Sequence, residues 1–312
     1  MTDALRVVDP GLLTTIQDLG RLSAIASGVP PGGAMDRFAH QAANLLAGNE
    51  PNDASLECTM RGPHLVAERP CVIAITGADF DPHVNGKPAA MWAALFLAAG
   101  DAVTFGSRRS GARTYIAVGG GLDGERWLGS RSTSLMTGKG GWHGRSLHAG
   151  DVLSTGGGRT MPSVAGSGLD PALRPDYSDH TLAAIAGPHL RRLEAESRRA
   201  LFTATFTVSR ESDRMGCRLE GPGLQMKADE LLSYGLVAGA VQLPQSGHPI
   251  LLMADHQTAG GYPVVATVVS ASMPHAAQLA PGDELRFMEV TQTQARQRRL
   301  ALSSALASLS AP

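Results

Sequence analysis

A tight turn of the form Leu-x-Ala/Pro-Gly-Asp occurs three times in the chain, each time immediately before a predicted strand. The three copies end at Asp101, Asp151 and Asp283. Glycine adopts a positive φ without strain, so each copy allows the backbone to reverse sharply. The chain also contains 37 glycines and 19 prolines. Such frequent interruption disfavours a helical bundle and predicts a mainly β fold of short strands joined by turns.

Short β-branched or apolar runs between these turns predict strands. Seven such runs are Leu65–Val66, Cys71–Thr76, Asp101–Phe105, Thr114–Val118, Ala204–Val208, Pro249–Met253 and Val264–Val269. Helical periodicity is sparse and is confined to Met35–Ala47, Leu190–Leu201 and Thr293–Leu309. We therefore expect a mainly β protein with a few helices.

Length and composition predict a folded protein with a substantial core. The 312 residues are 43% hydrophobic and 18% charged, which suits one large domain or two of ordinary size. The net charge of -1 provides no electrostatic attraction for nucleic acid or an anionic membrane. We expect neither as a partner.

A segment rich in glycine, serine and proline predicts the main domain boundary. The sequence suggests a first β module at 1–155, a linker at 156–178, a second β module at 179–290 and a helical tail at 291–312. The tetrapeptide Gly-Pro-His-Leu begins at both Gly62 and Gly187. This repeat hints at two related β units, although a match this short also arises by chance.

The chain carries no pattern typical of a secreted or membrane protein. Its first residues lack a basic segment followed by an apolar one, and the longest apolar run, Ala89–Ala99, is too short to cross a bilayer. Cys58, Cys71 and Cys217 have no Cys-x-x-Cys spacing and lie in apolar stretches, which predicts buried, reduced thiols. We expect a soluble, cytoplasmic protein.

Common catalytic and cofactor signatures fail on their physical requirements. Gly138-Lys139 lacks both the earlier glycine and the following Ser or Thr of a phosphate-binding loop. No Gly-x-Ser-x-Gly elbow is present, and no carboxylate or thiol accompanies the histidines at metal-site spacing. Lys227 follows Met226 but lacks the other flanking residues of a biotinylated lysine. We expect no metal or cofactor on this chain, so that ATP, and biotin if used, are bound by partner subunits.

Four dense clusters of glycine and polar residues carry the functional information. They contain the sequences T-T-I-Q-D-L-G-R from Thr14, G-S-R-S-T from Gly129, D-R-M-G-C-R-L from Asp213 and Q-T-A-G-G-Y-P from Gln257. In order and spacing they resemble the allophanate hydrolase subunit 2 family, whose members are also described as the C-type subunit of 5-oxoprolinase or as KipA-like proteins. The resemblance covers residues 5–287. Cys217 and Ala259 depart from the residues usual in the family, which are Tyr and Thr.

The resemblance implies a fold of two cyclophilin-like β-barrel modules in tandem. It also implies an obligate partner, a subunit 1 or KipI-like protein, accompanied by a lactam-utilisation subunit or by a biotin carboxylase and carrier. Three functions are compatible with it. The chain is a subunit of an ATP-dependent 5-oxoprolinase, the carboxyltransferase half of a biotin-dependent urea or amide carboxylase that forms allophanate, or a non-catalytic KipA-like regulator.

Residue types within the clusters predict the roles of a lactam-opening site. We expect Asp255 to act as general acid or base, with Gln257 as a further catalytic group, because both lie at a strand end beside flexible glycines. Arg131 is the predicted anion clamp, since a guanidinium matches carboxylate or phosphate oxygens. The other predicted substrate-binding residues are Ser132, Thr133, Thr258, Tyr262, Gln17, Asp18 and Arg21. The alternative is structural: Asp255 caps a turn, and Arg131 binds backbone carbonyls.

Overall fold

The computed structural model describes residues 2–156, 168–227 and 231–309, which divide into two compact units. Unit 1 comprises the chain up to Arg21, Gly32–Pro175 and the chain from Ser304. Unit 2 comprises Leu22–Pro31 and Asp176–Ser303. Residues 157–167 of the predicted linker lie outside the described residues.

Unit 1 is built from two antiparallel sheets. Its strands are β1 (Thr2–Asp9), β2 (Leu13–Gln17), β3 (Ser55–Thr59), β4 (His64–Ala67), β5 (Cys71–Asp79), β6 (Pro82–Val84), β7 (Lys87–Pro88), β8 (Ala94–Leu97), β9 (Ala102–Phe105), β10 (Ser110–Val118) and β11 (Val152–Thr155). One sheet has the order β11-β1-β4-β9-β6-β7, and the other has the order β2-β3-β10-β5-β8. Short 3-10 helices lie at Leu22–Ser27, in the segment assigned to unit 2, and at Pro171–Leu173.

The two sheets of unit 1 share one apolar core. Leu5, Leu65 and Val103 from the first sheet belong to the same buried cluster as Ile73 and Ile116 from the second. Helix α1 (Arg37–Leu46) also packs on the second sheet. Strand β5 is accordingly buried along almost its whole length rather than at alternate positions, which is expected of a strand covered on both faces.

Unit 2 contains a closed seven-stranded barrel. The strands of unit 2 are β12 (Thr181–Ala186), β13 (Phe206–Val208), β14 (Gly216–Glu220), β15 (Tyr234–Gly235), β16 (Ala240–Gln242), β17 (Ile250–Leu252), β18 (Ala259–Gly260), β19 (Val264–Val268) and β20 (Glu284–Glu289). The barrel order is β12-β19-β16-β17-β14-β13-β20, and β12 and β20 pair in parallel to close it. Strands β15 and β18 form a separate ribbon. The predicted mainly β fold is confirmed, with a closed barrel in unit 2 and paired sheets in unit 1.

Helices are few, as predicted, but one prediction places its helix wrongly. Unit 2 contains α2 (Ala195–Thr203) and α3 (Met273–Gln278), and α4 (Gln292–Ala307) lies near the C-terminus. The helix predicted over Leu190–Leu201 is wrong at its start, because only a 3-10 turn, Leu190–Arg192, forms there. Leu193 and Glu194 then adopt extended backbone angles, and α2 begins after them. Further 3-10 residues, Ser270–Ser272, precede α3.

The three Gly-Asp turns are confirmed as copies of one structure. Gly100, Gly150 and Gly282 have φ values of 88°, 92° and 92°. In each copy the aspartate carboxylate accepts a hydrogen bond from the backbone N–H three residues earlier, at 2.7 to 2.8 Å. The aspartate therefore stabilises the turn that its neighbouring glycine makes possible. The two Gly-Pro-His-Leu segments differ from each other, since His64 begins β4 whereas Leu190 begins a 3-10 turn.

The three cysteines are buried and free, as predicted. Burial raises the pKa of Cys58 to about 12 and that of Cys71 to about 11, so both thiols are protonated at neutral pH. Within the part of the chain that the structure describes, no helix has both the length and the apolar character needed to span a membrane.

Candidate functional site

The carboxylate of Asp18 is the centre of a buried hydrogen-bond cluster in unit 1. Asp18 directly follows β2 and is 4% exposed. Its Oδ1 accepts hydrogen bonds from the hydroxyls of Ser130 and Ser132, both at 2.6 Å, and from the N–H of Gly20 at 2.8 Å. Its Oδ2 accepts one from the N–H of Arg131 at 2.6 Å. The first two sequence motifs therefore meet in one structure, which we call the Asp18 cluster.

The protonation state of Asp18 follows from these contacts. Burial raises the pKa of Asp18, but the hydrogen bonds from Ser130, Ser132, Gly20 and Arg131 lower it. The net pKa lies below the ordinary value of 3.8. The carboxylate is ionised at neutral pH, and both of its oxygens are engaged within the protein.

Gln17, Arg21 and Thr133 lie beside the same cluster, and none is more than 2% exposed. The Gln17 side-chain amide donates to the carbonyl oxygen of Thr133 at 3.3 Å. Thr133 in turn donates from its hydroxyl and its N–H to a carbonyl of β2, at 3.0 and 2.9 Å. Arg21 donates to the carbonyl of Ser132, and its guanidinium lies 4.8 Å from the ring centre of Trp127. The predicted residues of unit 1 thus join two chain segments through mutual contacts.

The guanidinium of Arg131 is partly accessible and is paired with Asp123. Arg131 Nη2 lies 2.9 Å from Asp123 Oδ1, and the two side chains are 27% and 26% exposed. Asp123 also lines a cavity of about 350 Å³, together with Glu125, Trp142 and His143. An anion that approaches Arg131 would therefore compete with Asp123 for the guanidinium.

Asp255 forms a two-pronged ion pair with Arg214 in unit 2. Arg214 Nε lies 2.9 Å from Oδ2, and Nη2 lies 3.1 Å from Oδ1. The Asp255 N–H also donates to the carbonyl of Arg214 at 2.8 Å. The Arg214 and Asp255 side chains are only 11% and 20% exposed. Because Arg214 belongs to the D-R-M-G motif, this pair joins the third motif to the residues directly before the fourth.

Gln257 is engaged by a buried glutamine that no motif contains. Gln257 Nε2 donates to Gln242 Oε1 at 3.1 Å, and Gln242 is 1% exposed. Thr258 contributes its carbonyl, which accepts from the N–H of Leu236 at 2.9 Å. A Cβ on Gly260 would lie 3.0 Å from Leu236 Cδ1 and 3.3 Å from Gln242 Nε2. The first glycine of the fourth motif therefore makes room for the glutamine pair.

Tyr262 is the predicted site residue that faces open space. It is 50% exposed and lines two adjoining cavities of about 1100 and 430 Å³, which share Tyr262 and Pro244. We call these two cavities together the Tyr262 groove. Apolar side chains and two amides line the larger cavity, among them Leu224, Leu231, Leu243, Pro263, Gln225 and Gln245. Charged and polar side chains line the smaller one, among them Glu211, Arg218, Glu220 and His248.

Three of the residues that complete these contacts have no role that the sequence predicts. Arg214 stands within a quoted motif, so its motif marks it, but nothing in the sequence pairs it with Asp255. Asp123 and Gln242 lie outside every motif, and only their contacts with Arg131 and Gln257 reveal them. Across residues 2–156, 168–227 and 231–309, no three His, Cys, Asp or Glu side chains group as metal ligands would.

Comparison with known proteins places this chain in a family. Residues 27–289 match the family described as "Carboxyltransferase domain, subdomain A and B". The C-type subunit of 5-oxoprolinase from Escherichia coli K12 is 36% identical over 298 residues, which are 95% of this chain and 94% of that protein. The urea amidolyase of Lachancea kluyveri is 31% identical over 98% of this chain but only 18% of its own length.

A solved structure is similar to this chain over almost its whole length. The urea carboxylase of Kluyveromyces lactis superimposes with a TM-score of 0.92 at 28% identity, over 98% of this chain and 29% of that one. The chain therefore corresponds to nearly all of the bacterial subunit and to a fraction of each fungal enzyme. The family match and the end-to-end identity confirm the resemblance seen in the four motifs: the chain belongs to the carboxyltransferase A and B domain family.

Proposed function

We propose that this chain is the C-type subunit of a heteromeric, ATP-dependent 5-oxoprolinase, which opens the lactam ring of 5-oxoproline to glutamate. The observation that carries the proposal is the end-to-end match to the corresponding Escherichia coli protein, over 95% of this chain and 94% of the relative. A match of this extent leaves little of either chain for a different domain. The same subunit role accounts for it best.

The Tyr262 groove suits the recognition of a small amide. A lactam presents one N–H donor and one carbonyl acceptor, and 5-oxoproline adds a carboxylate. The groove offers the amides of Gln225 and Gln245 beside the Tyr262 phenol, against apolar walls. Arg218 in the smaller cavity supplies a guanidinium for the carboxylate. Polar groups placed beside apolar walls in a concave site are typical of a ligand site.

We assign ATP binding to the partner subunits, with a subunit 1 protein as the direct partner. The one Gly-Lys pair that resembles a phosphate loop, Gly138-Lys139, closes a turn that begins at Ser134, and no helix follows it. A phosphate loop requires a following helix, whose N-terminus faces the anion. This chain alone should therefore not hydrolyse ATP.

The proposal is tested with the assembled complex. We expect 5-oxoproline to stimulate phosphate release from ATP by the complex and to have no effect on the isolated chain. Size-exclusion chromatography of the co-expressed subunits should show a stable heteromer. A complex that assembles but is not stimulated by 5-oxoproline would refute the proposed function.

Asp255 provides a test at the level of one residue. If Asp255 is the general acid or base, its replacement by Asn should lower the turnover of the complex about a hundredfold, because Asn removes the charge but preserves the shape. The Asn oxygen still accepts one bond from Arg214, whereas its amide nitrogen faces the other guanidinium donor, so we expect the melting temperature to fall by a few degrees without loss of the fold. Full activity in Asp255→Asn, or a collapsed melting temperature, would make the ion pair with Arg214 purely structural.

A second candidate function is the carboxyltransferase half of a biotin-dependent urea carboxylase. The observation that favours it is the TM-score of 0.92 against the Kluyveromyces lactis urea carboxylase over 98% of this chain. In that case, urea together with a biotinylated carrier should stimulate ATP turnover, and 5-oxoproline should not. Failure of both substrates would favour the non-catalytic, KipA-like regulator.

A further inference from the structure

His189 makes a reciprocal contact with the start of β19. The N–H of His189 donates to the carbonyl oxygen of Val264 at 3.0 Å. The N–H of Val264 donates back to His189 Nδ1 at 3.1 Å. Since Nδ1 accepts a hydrogen bond, the proton of the neutral ring resides on Nε2. His189 thus pairs with Val264 as a neighbouring strand residue would, using its ring nitrogen as the acceptor.

Gly187 makes this contact possible. The N–H of Gly187 donates to the carbonyl oxygen of Val265 at 3.0 Å. A Cβ at position 187 would lie 2.5 Å from the carbonyl oxygen of Val264 and 2.7 Å from the nitrogen of Ala266. Only glycine permits the backbones to approach so closely. The Gly-Pro-His sequence, which the proposed function leaves without a role, is therefore fitted to the chain directly after Tyr262 and Pro263.

Tyr234 holds the other side of the same segment. Its hydroxyl donates to the carbonyl oxygen of Tyr262, and its ring lies 5.1 Å from the ring of His189. Its backbone, in β15, pairs with Gly260 in β18. The short segment that carries Tyr262 is thus bound to Tyr234 before and at residue 262, and to His189 at residue 264.

The side chain of Tyr262 is left free to meet a ligand. Tyr262 is half exposed, and among the described residues its phenol oxygen has no hydrogen-bond partner. It stands where the two cavities of the groove adjoin. A side chain on a firmly held backbone, with an unengaged polar end in a cavity, is typical of a preorganised binding group.

We propose that His189 and Tyr234 are positioning residues, which hold the backbone of Tyr262 so that its phenol binds the amide ligand of the Tyr262 groove. The identity of that ligand, 5-oxoproline, rests on the proposed function. The positioning of the Tyr262 backbone, which we call the backbone clamp, depends only on the contacts of His189 and Tyr234. His189→Ala removes the acceptor for the Val264 N–H, and Tyr234→Phe removes only the hydroxyl. His189→Asn restores an acceptor, because the Asn Oδ1 occupies the place of Nδ1.

The first measurement is hydrogen exchange at the amide of Val264 in the full chain. We expect exchange at least about tenfold faster in His189→Ala and close to the wild-type rate in His189→Asn, because one buried hydrogen bond is lost and then regained. The matched controls are Tyr177→Phe and His275→Ala, which alter a second tyrosine–histidine ring pair of unit 2, at 6.2 Å. Unchanged exchange in His189→Ala would overturn the proposal.

The second measurement is the kinetics of the assembled complex with 5-oxoproline. Because the binding group is less firmly held, KM should rise about tenfold in His189→Ala and in Tyr234→Phe, with kcat within about threefold of wild type. In His189→Asn, KM should return close to the wild-type value. The Tyr177 and His275 variants should match the wild type. Faster exchange at Val264 combined with an unchanged KM would overturn the positioning role.

A different result would identify failure of the proposed function instead. If 5-oxoproline does not stimulate the wild-type complex, the substrate assignment is refuted. The backbone clamp is then tested by the rate at which tetranitromethane nitrates Tyr262. We expect that rate to change severalfold in His189→Ala and to return to the wild-type value in His189→Asn. Equal nitration rates in all three proteins would overturn the proposal.

Discussion

Replacement of Asp18 by Asn tests whether the Asp18 cluster stabilises unit 1. The Asn oxygen can retain the bonds from Ser130, Ser132 and Gly20, which all reach Oδ1. The Asn amide nitrogen then replaces Oδ2 and faces the N–H of Arg131, which donates to Oδ2 at 2.6 Å. Two donors oppose each other in a site that is 4% exposed.

The expected cost follows from these contacts. A buried donor without an acceptor costs about 1–3 kcal/mol, and bonds to a charged acceptor are roughly twice as strong as bonds to a neutral one. We therefore expect Asp18→Asn to lower the free energy of unfolding of unit 1 by about 2–4 kcal/mol. Asp123→Asn is the matched control, because it alters a partly exposed ion pair on the same loop and should cost less than about 1 kcal/mol.

Tryptophan fluorescence during urea denaturation provides the assay. The three tryptophans, Trp92, Trp127 and Trp142, all belong to unit 1, so their emission reports this unit alone. Trp127 also lies against Arg21 within the cluster. An Asp18→Asn protein whose unfolding free energy lies within about 0.5 kcal/mol of the wild type would refute the structural importance of the cluster.

Three further outcomes are expected. Burial raises the pKa of Asp151, but the hydrogen bonds from Arg145 and His148 have the larger combined effect, so the net pKa falls to about 2. The stability that the ionised carboxylate contributes is present above about pH 4 and is lost as the pH falls towards 2. The difference in unfolding free energy between the wild type and Asp151→Asn should become smaller over that pH range. A constant difference would contradict the stabilising role of the ionised carboxylate. Cys58 and Cys71, with raised pKa values, should not react with a thiol reagent at pH 8 until the protein unfolds, so rapid labelling of the native protein would show that they are accessible. Gly187→Ala should lower the melting temperature by several degrees because its Cβ meets the β19 backbone, whereas Gly235→Ala, whose Cβ meets nothing within 4 Å, should not; equal melting temperatures would disprove the close approach.

The sequence alone determined the features that depend on local chemistry. The mainly β fold followed from the Gly-Asp turns, because a glycine at positive φ and an aspartate that accepts from the backbone act within five residues. All seven predicted strands form, and the cysteines are buried as their apolar surroundings indicated. The four motifs were sufficient to identify the family. The helix at Leu190 was misplaced because Leu193 and Glu194 adopt an extended backbone, which the periodicity did not reveal.

Tertiary structure alone decided which partner each polar group takes. Ser130 and Asp18 are 112 residues apart, Arg214 and Asp255 are 41 apart, and His189 and Val264 are 75 apart. A sequence shows that a residue can donate or accept, but the pairing of donors with acceptors is set by the strand order that brings distant segments together. The cost of leaving a buried polar group unsatisfied makes that pairing strict. The tertiary structure also decided which predicted site residue stays accessible: among those residues, Tyr262 alone is half exposed, and it lies at an open groove.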